Sequence, residues 1–198
     1  MNTPAPAASP TGPRPPCVVV MGVSGTGKTT TARLIAARLD IPFADADDFH
    51  PPENIAKMSS GIPLEDADRE PWLTAVGRWL HDRDTAGTGG VVACSALKRR
   101  YRDILRATAP AVFFLLLTAD RAELIERVGQ RHRHFMPASL VDSQLAALEP
   151  LQPSERGTTL AADGPPHAVA EAAVALISEP GDHGRRMGDS SGNRRQSG

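Results

Sequence analysis

A three-layer αβα sandwich around a parallel sheet is the fold class that three observations predict. Short apolar runs, Val18 to Met21, Val91 to Cys94 and Val112 to Leu117, are bounded by turn residues or charges. Such runs suit strands buried on both faces. Between them, apolar residues recur at helical spacing: Leu34, Ile35 and Leu39; Trp72, Val76, Trp79 and Leu80; Leu124, Ile125 and Val128. Strand and helix alternate from residue 17 to about residue 178, which implies right-handed crossovers and a ligand site at the carboxyl ends of the strands.

The two ends differ from this middle. Residues 1–16 are rich in Pro and Ala, and residues 179–198 in Gly, Ser and Arg, with no apolar residue after Met187. Both are expected to be disordered, an arm and a tail around one domain spanning 17–178. The sequence has no apolar block of the secretory kind and no stretch near the ~20 apolar residues of a membrane span, so a cytoplasmic location is expected. Cys17 and Cys94 lie within apolar runs and are expected to be buried thiols, with no disulfide framework and no metal role. A formal net charge of −1 over 198 residues gives no global attraction for nucleic acid or an anionic membrane, which points to a small target.

Taken in order, the elements place their chemistry at strand ends. The first run, Cys17 to Met21, leads into Gly22, Val23, Ser24, Gly25, Thr26, Gly27, Lys28 and Thr29, and a helix-like stretch from Thr30 to Asp40 follows. Strand, glycine-rich loop and helix in this order form a phosphate-binding loop. The glycines let backbone N–H groups converge on a triphosphate, Lys28 can neutralise the outer phosphates, and the Thr29 hydroxyl can ligate Mg²⁺. A short second strand, Ile41 to Ala44, runs into Asp45, Asp47 and Asp48. If the strand continued, a period of two would set Asp45 and Asp47 on one side; the competing reading is an acidic cap on a helix or turn. The later strands end in Ser95 and Thr118 rather than in an acidic residue. Asp45 and Asp47 are therefore the candidates to order Mg²⁺ and to orient an attacking hydroxyl.

Neither a guanine-reading Asn-Lys-x-Asp stretch nor a Leu-Ser-Gly-Gly-Gln-like signature occurs, which argues against regulatory GTPases and transporter ATPases. The cluster Arg127, Arg131, His132, Arg133 and His134 places Arg127 and Arg131 on one helix face. Carried on a lid, one guanidinium could neutralise charge on a transferring phosphoryl group, and Arg131 is the candidate for that catalytic part. The rival reading is an RNA-binding patch, but Phe135 is the one aromatic interleaved with the basic residues.

A longer pattern then emerges. Asp45-Ala46-Asp47-Asp48-Phe49-His50-Pro51-Pro52-Glu53-Asn54 continues to Lys57-Met58, then Gly61 to Leu64, Asp66 to Arg69 and Pro71-Trp72-Leu73. Cys94-Ser95-Ala96-Leu97-Lys98, Tyr101-Arg102-Asp103, His134-Phe135-Met136-Pro137, Ser143-Gln144 and Leu148-Glu149-Pro150 complete it. Together these segments resemble the short, bacterial-type P-loop gluconokinases across about Val18 to Ile177.

The resemblance implies ATP-dependent phosphorylation of D-gluconate at its 6-hydroxyl, Mg²⁺ dependence and a homodimer. It also implies a nucleoside-monophosphate-kinase-like fold with a helical lid near 127–150. Nucleotide contacts are expected from Gly22, Ser24, Gly25, Thr26, Gly27, Lys28, Thr29 and Thr30, with Arg127, Arg131 and, beside adenine, Pro166. For the carboxylate and hydroxyls of the sugar acid, the expected set is Asp47, His50, Asn54, Arg69, Lys98, Arg102 and His134, because such a ligand needs a bidentate cation and several polar groups. Lys98 and Arg102, and likewise His50 and Asn54, are four apart and are expected to share helix faces. Trp72 and Trp79 are read as packing. Two residues depart from the family pattern: Arg133 replaces a glycine, and Leu145 replaces a phenylalanine. The competing functions are a kinase of another small hydroxy acid, such as shikimate, and a nucleotide-dependent binding protein that transfers no phosphate.

Overall fold

The structure, a computed structural model, describes residues 14–129 and 138–178. The expected tail, residues 1–13 of the expected arm, and a lid segment that includes Arg131, Arg133 and His134 lie outside the described residues.

Five parallel strands, β1 (Cys17–Met21), β2 (Phe43–Asp45), β3 (Gly90–Ala93), β4 (Phe113–Thr118) and β5 (Gly157–Ala161), pair in the order β2-β3-β1-β4-β5. The strands expected from the sequence are all present, with boundaries displaced by one or two residues. Central β1 is buried throughout, because its alternate residues meet helices on opposite faces of the sheet. Val19 and Met21, with Val92, Phe114 and Leu116, pack under α3 (Asp66–Thr85) and α4 (Arg99–Thr108). Val18 and Val20, with Val91, Phe113, Leu115 and Leu117, pack under α1 (Lys28–Leu39) and α7 (Pro166–Ser178). Burial on both faces removes any need for polar alternation, hence the unbroken apolar runs.

Helix α2 (Pro52–Ser59) follows a single 3₁₀ turn, Ala46–Phe49, at the end of β2. A third, smaller apolar cluster lies beneath the glycine-rich loop: Val23 and Leu97 with Leu124 and Val128 of α5 (Arg121–Gly129) and Val141 of α6 (Ala138–Ala147). Leu145, at the position of the family's phenylalanine, packs partly buried against it.

Arg102 corrects an expectation. Its side chain is 0% exposed, as is that of its partner Glu155, and it does not reach a ligand cavity. Nε donates to Glu155 Oε1 at 2.6 Å, and Nη2 donates to Glu155 Oε2 and to Pro150 O. Nη1 donates to the carbonyls of Ala96, Leu97 and Glu149. All five guanidinium protons are thus committed, and the residue staples α4 to the segment returning from α6 to β5. Burial raises the Glu155 carboxyl, while hydrogen bonds from Arg102 and from the Gln152 N–H outweigh it and leave the group below its ordinary value.

Removing one partner strands a buried charge, so Arg102→Met should lower the unfolding free energy by about 3–5 kcal/mol in urea titrations. Unchanged stability accompanied by a raised substrate KM would return Arg102 to the ligand site.

Candidate active site

The glycine-rich loop leaves β1 through a close backbone approach. A Cβ on Gly22, whose φ is 139°, would lie 2.5 Å from Leu117 O, and one on Gly25, at φ 91°, 3.0 Å from Leu124 O. Neither position accepts a side chain in this packing. Within the loop, Thr26 Oγ1 donates to Val23 O at 2.9 Å and Lys28 Nζ to the same carbonyl at 3.0 Å. The lysine is therefore folded back over its own loop.

Two cavities meet the loop. One, of about 280 Å³, is lined by Gly25, Thr26, Gly27, Thr30, Arg127 and Pro166, which brings together six of the residues expected at the nucleotide. Arg127 pairs there with Glu123 and donates to Ala162 O at 3.1 Å. The other, of about 770 Å³, reaches the loop through Ser95 and Gln144. Ser95 O accepts from Gly22 N–H at 3.3 Å, and Gln144 Oε1 accepts from Ser24 N–H at 2.7 Å.

Asp45 and Asp47 come together by a different route from the one expected. Strand β2 stops at Asp45, and Asp47 lies in the 3₁₀ turn, so the pleat does not align them. Instead Asp45 caps that turn, its Oδ1 accepting from Asp47 N–H at 3.2 Å, while its Oδ2 accepts from the Thr29 hydroxyl at 3.1 Å. The cap and the site are the same carboxylate. Thr29 and Asp45 present two hard oxygen donors side by side, a set that fits Mg²⁺ sharing its remaining positions with phosphate and water. Burial raises the Asp47 carboxyl above its ordinary value and Asp45 and Asp48 add to the rise, with His50 and Lys28 partly offsetting it.

His50 ends the turn and stacks on Trp72, with ring centroids 4.3 Å apart and planes at 15°. Trp72 Nε1 donates to Ala46 O at 2.6 Å, fixing the turn that carries Asp47. The tryptophan is core packing, as the sequence suggested, and also a support for the site, which helical spacing alone does not signal. Asn54 is 3% exposed. Its Nδ2 donates to Asp68 O at 2.8 Å and lies 3.3 Å from His50 Nδ1, so it positions His50 instead of facing a substrate. Accepting at Nδ1 leaves a neutral His50 with its proton on Nε2. Burial lowers the His50 pKa, Asp47 opposes this and Arg69 reinforces it.

The larger cavity is lined by charges of both signs, Arg69 and Lys98 with Glu65 and Asp66. Arg69, Lys98 and Arg100 lie 5.7, 5.6 and 5.3 Å from the Tyr101 ring centroid. Asp66 receives Lys98, Arg100 and the Tyr101 hydroxyl. Lys98 is the residue before α4 and lines this cavity, whereas Arg102 is inside the protein, so the expected shared helix face is not formed. Among the described residues, no group of three or more His, Cys, Asp or Glu side chains is placed to hold a metal ion, and no helix is long and apolar enough to cross a membrane.

A phosphate-binding loop at the carboxyl end of the central strand of a five-stranded parallel sheet, with the Asp45 carboxylate bonded to its Thr29 and a cavity carrying Arg69 and Lys98 meeting the loop, defines a P-loop kinase of small molecules. A family model described as shikimate kinase matches residues 24–158. The chain is 51% identical to a gluconokinase of Gluconobacter oxydans over 138 residues, covering 70% of this chain and 78% of that protein. Among solved structures, a sugar kinase from Janibacter sp. aligns with a TM-score of 0.76 at 49% identity, over 83% of this chain and 96% of that one. A gluconokinase from Sinorhizobium meliloti aligns at 0.75 and 44%, over 83% and 93%. The chain belongs to the gluconokinase family, and the shikimate kinase model marks a related family with the same scaffold.

The raised Asp47 carboxyl has a sign that can be tested. Its contribution to stability is full while the group is protonated and is lost as pH rises through the folded pKa, so near neutrality the charged form is a burden. Asp47→Asn should therefore raise the melting temperature at pH 8, with a gain that shrinks as pH falls below the carboxylate range. Melts that show the gain growing toward acid would contradict the assigned burial.

Proposed function

We propose that this chain transfers the γ-phosphoryl group of ATP to the 6-hydroxyl of D-gluconate, giving 6-phosphogluconate and ADP. The observation that carries this reading is the position of Asp47. It is a carboxylate with a raised pKa, under the electrostatic influence of His50 and Lys28, on a turn capped by Asp45, which is itself bonded to Thr29 of the phosphate loop. A carboxyl in that setting can accept the proton of an alcohol as its oxygen bonds to phosphorus and the bond from phosphorus to the bridging oxygen breaks.

The remaining residues divide the work by chemistry. Backbone N–H groups of the loop, with Lys28, bind the phosphates; Thr30, Arg127 and Pro166 border the nucleotide. Thr29 and Asp45 would hold Mg²⁺, which when bound supplies charge neutralisation on the phosphates. Arg69 and Lys98 offer cations for the gluconate carboxylate, and the His50 Nε2–H is a donor for a hydroxyl. Arg131, from the basic cluster on the expected lid, and His134, from the family pattern, both outside the described residues, are assigned to the transferring group and the substrate. A homodimer in the cytoplasm that binds neither nucleic acid nor membrane completes the proposal.

Purified protein with Mg·ATP should release ADP in step with 6-phosphogluconate, followed by a coupled assay across a panel of sugar and hydroxy acids. Shikimate turned over while gluconate stays inert would give the substrate assignment to the related family. Lys28→Ala should lower kcat/KM by about 10²–10³. Asp47→Asn should lower kcat by roughly 10²–10⁴ and leave ATP affinity within a few-fold by calorimetry.

A further inference from the structure

Gln144 stands at the junction of the two halves of the site. It lies on the same face of α6 as Val141, three residues earlier, which is fully buried in the small apolar cluster beneath the phosphate loop. Arg121 of α5 holds the same helix through two hydrogen bonds to Asp142, at 2.7 and 2.9 Å. The side chain thus starts from a fixed base and reaches Ser24 N–H, its Oε1 accepting at 2.7 Å.

That one bond decides the orientation of the whole carboxamide. A backbone N–H can only donate, so Oε1 must face Ser24, and the two protons on Nε2 must face elsewhere. Among the described residues Nε2 has no hydrogen-bond partner, and Gln144 lines the 770 Å³ cavity together with Arg69 and Lys98. Gly25, Thr26 and Gly27 border the nucleotide cavity, whereas Ser24 is tied to a residue of the acceptor cavity. A donor pair of fixed direction is therefore held at the boundary where the transferred group would pass to an alcohol.

We propose that Gln144 is a substrate-binding residue, its Nε2 donating to a secondary hydroxyl of the sugar acid while its Oε1 is clamped by the phosphate loop. The inference rests on the gluconate kinase reading and adds to it a specificity contact: the loop that binds phosphate also sets the angle at which the acceptor's hydroxyls are read. An acid without hydroxyls at the matching spacing offers Nε2 no partner and forfeits that hydrogen bond, which penalises it.

The test compares wild type with Gln144→Glu and Gln144→Leu. The glutamate keeps an oxygen for Ser24 N–H and loses the donor; the leucine loses both. Each should raise the KM for gluconate about tenfold or more. The leucine variant should keep its KM for ATP within about threefold and its melting temperature within a few degrees, and if it fails to fold, the glutamate variant still reads the donor. Assaying gluconates that lack one secondary hydroxyl at a time adds a cycle: one of them should lose affinity with wild type and lose none further with the leucine variant. Gluconate KM values unmoved in both variants of an active enzyme would overturn this inference alone. A fall in the KM for ATP with unmoved gluconate KM would also overturn it, making the residue a stopper on the Ser24 amide. An inert wild type would overturn the kinase reading and this inference with it.

Discussion

The close approach of the loop backbone at Gly22 to the carbonyl of Leu117 is the constraint on which the site depends. With no side chain at that position, the chain can leave β1 tightly against the end of β4 and turn into α1. That turn brings Thr29 to within hydrogen-bond distance of Asp45 and Ser24 to within reach of α6. The Asp45 bond in turn caps the turn that carries Asp47. The phosphate loop, Asp45 and Asp47 are thus linked in series by single hydrogen bonds that start from one backbone crossing.

Electrostatics in the site follow from burial opposed by a few neighbours. Asp47 is displaced upward by desolvation and by Asp45, and the pull of His50 and Lys28 does not cancel this. His50 is displaced downward although Asp47 acts in the other direction. A carboxylate easier to protonate beside an imidazole easier to deprotonate suits proton acceptance at one group and neutral hydrogen bonding at the other. The support behind them is apolar and stiff: Trp72 stacks against His50 and holds Ala46, so the polar pair rests on the core.

The sheet was legible because strands buried on both faces must be apolar throughout, and the helices because one face of each must bury. The glycine-rich loop was legible from local order alone. What escaped depended on distant partners. Arg102 reads as a substrate-binding cation four residues from Lys98, and nothing local signals that Glu155, 53 residues on, draws it inside. Gln144 meets Ser24 across 120 residues. The Asp45–Asp47 spacing suited both a strand and a capped turn, and only the end of β2 decides between them. Asn54 had the right composition for a ligand contact, but its burial beneath Asp68 and His50 gives it a supporting part.

The walls of the larger cavity come from the start of α3 and the residues just before it, the residues before and within α4, and α6, with the sheet contributing little beyond Ser95, two residues past β3. The machinery that handles phosphate is built instead on β1, β2 and their packing against β4 and α5. Gln144 apart, which is bonded to Ser24 of the phosphate loop, side chains lining that cavity can therefore change with the phosphate-handling residues left in place, so a lineage on this scaffold can exchange one hydroxy acid for another without reinventing its chemistry.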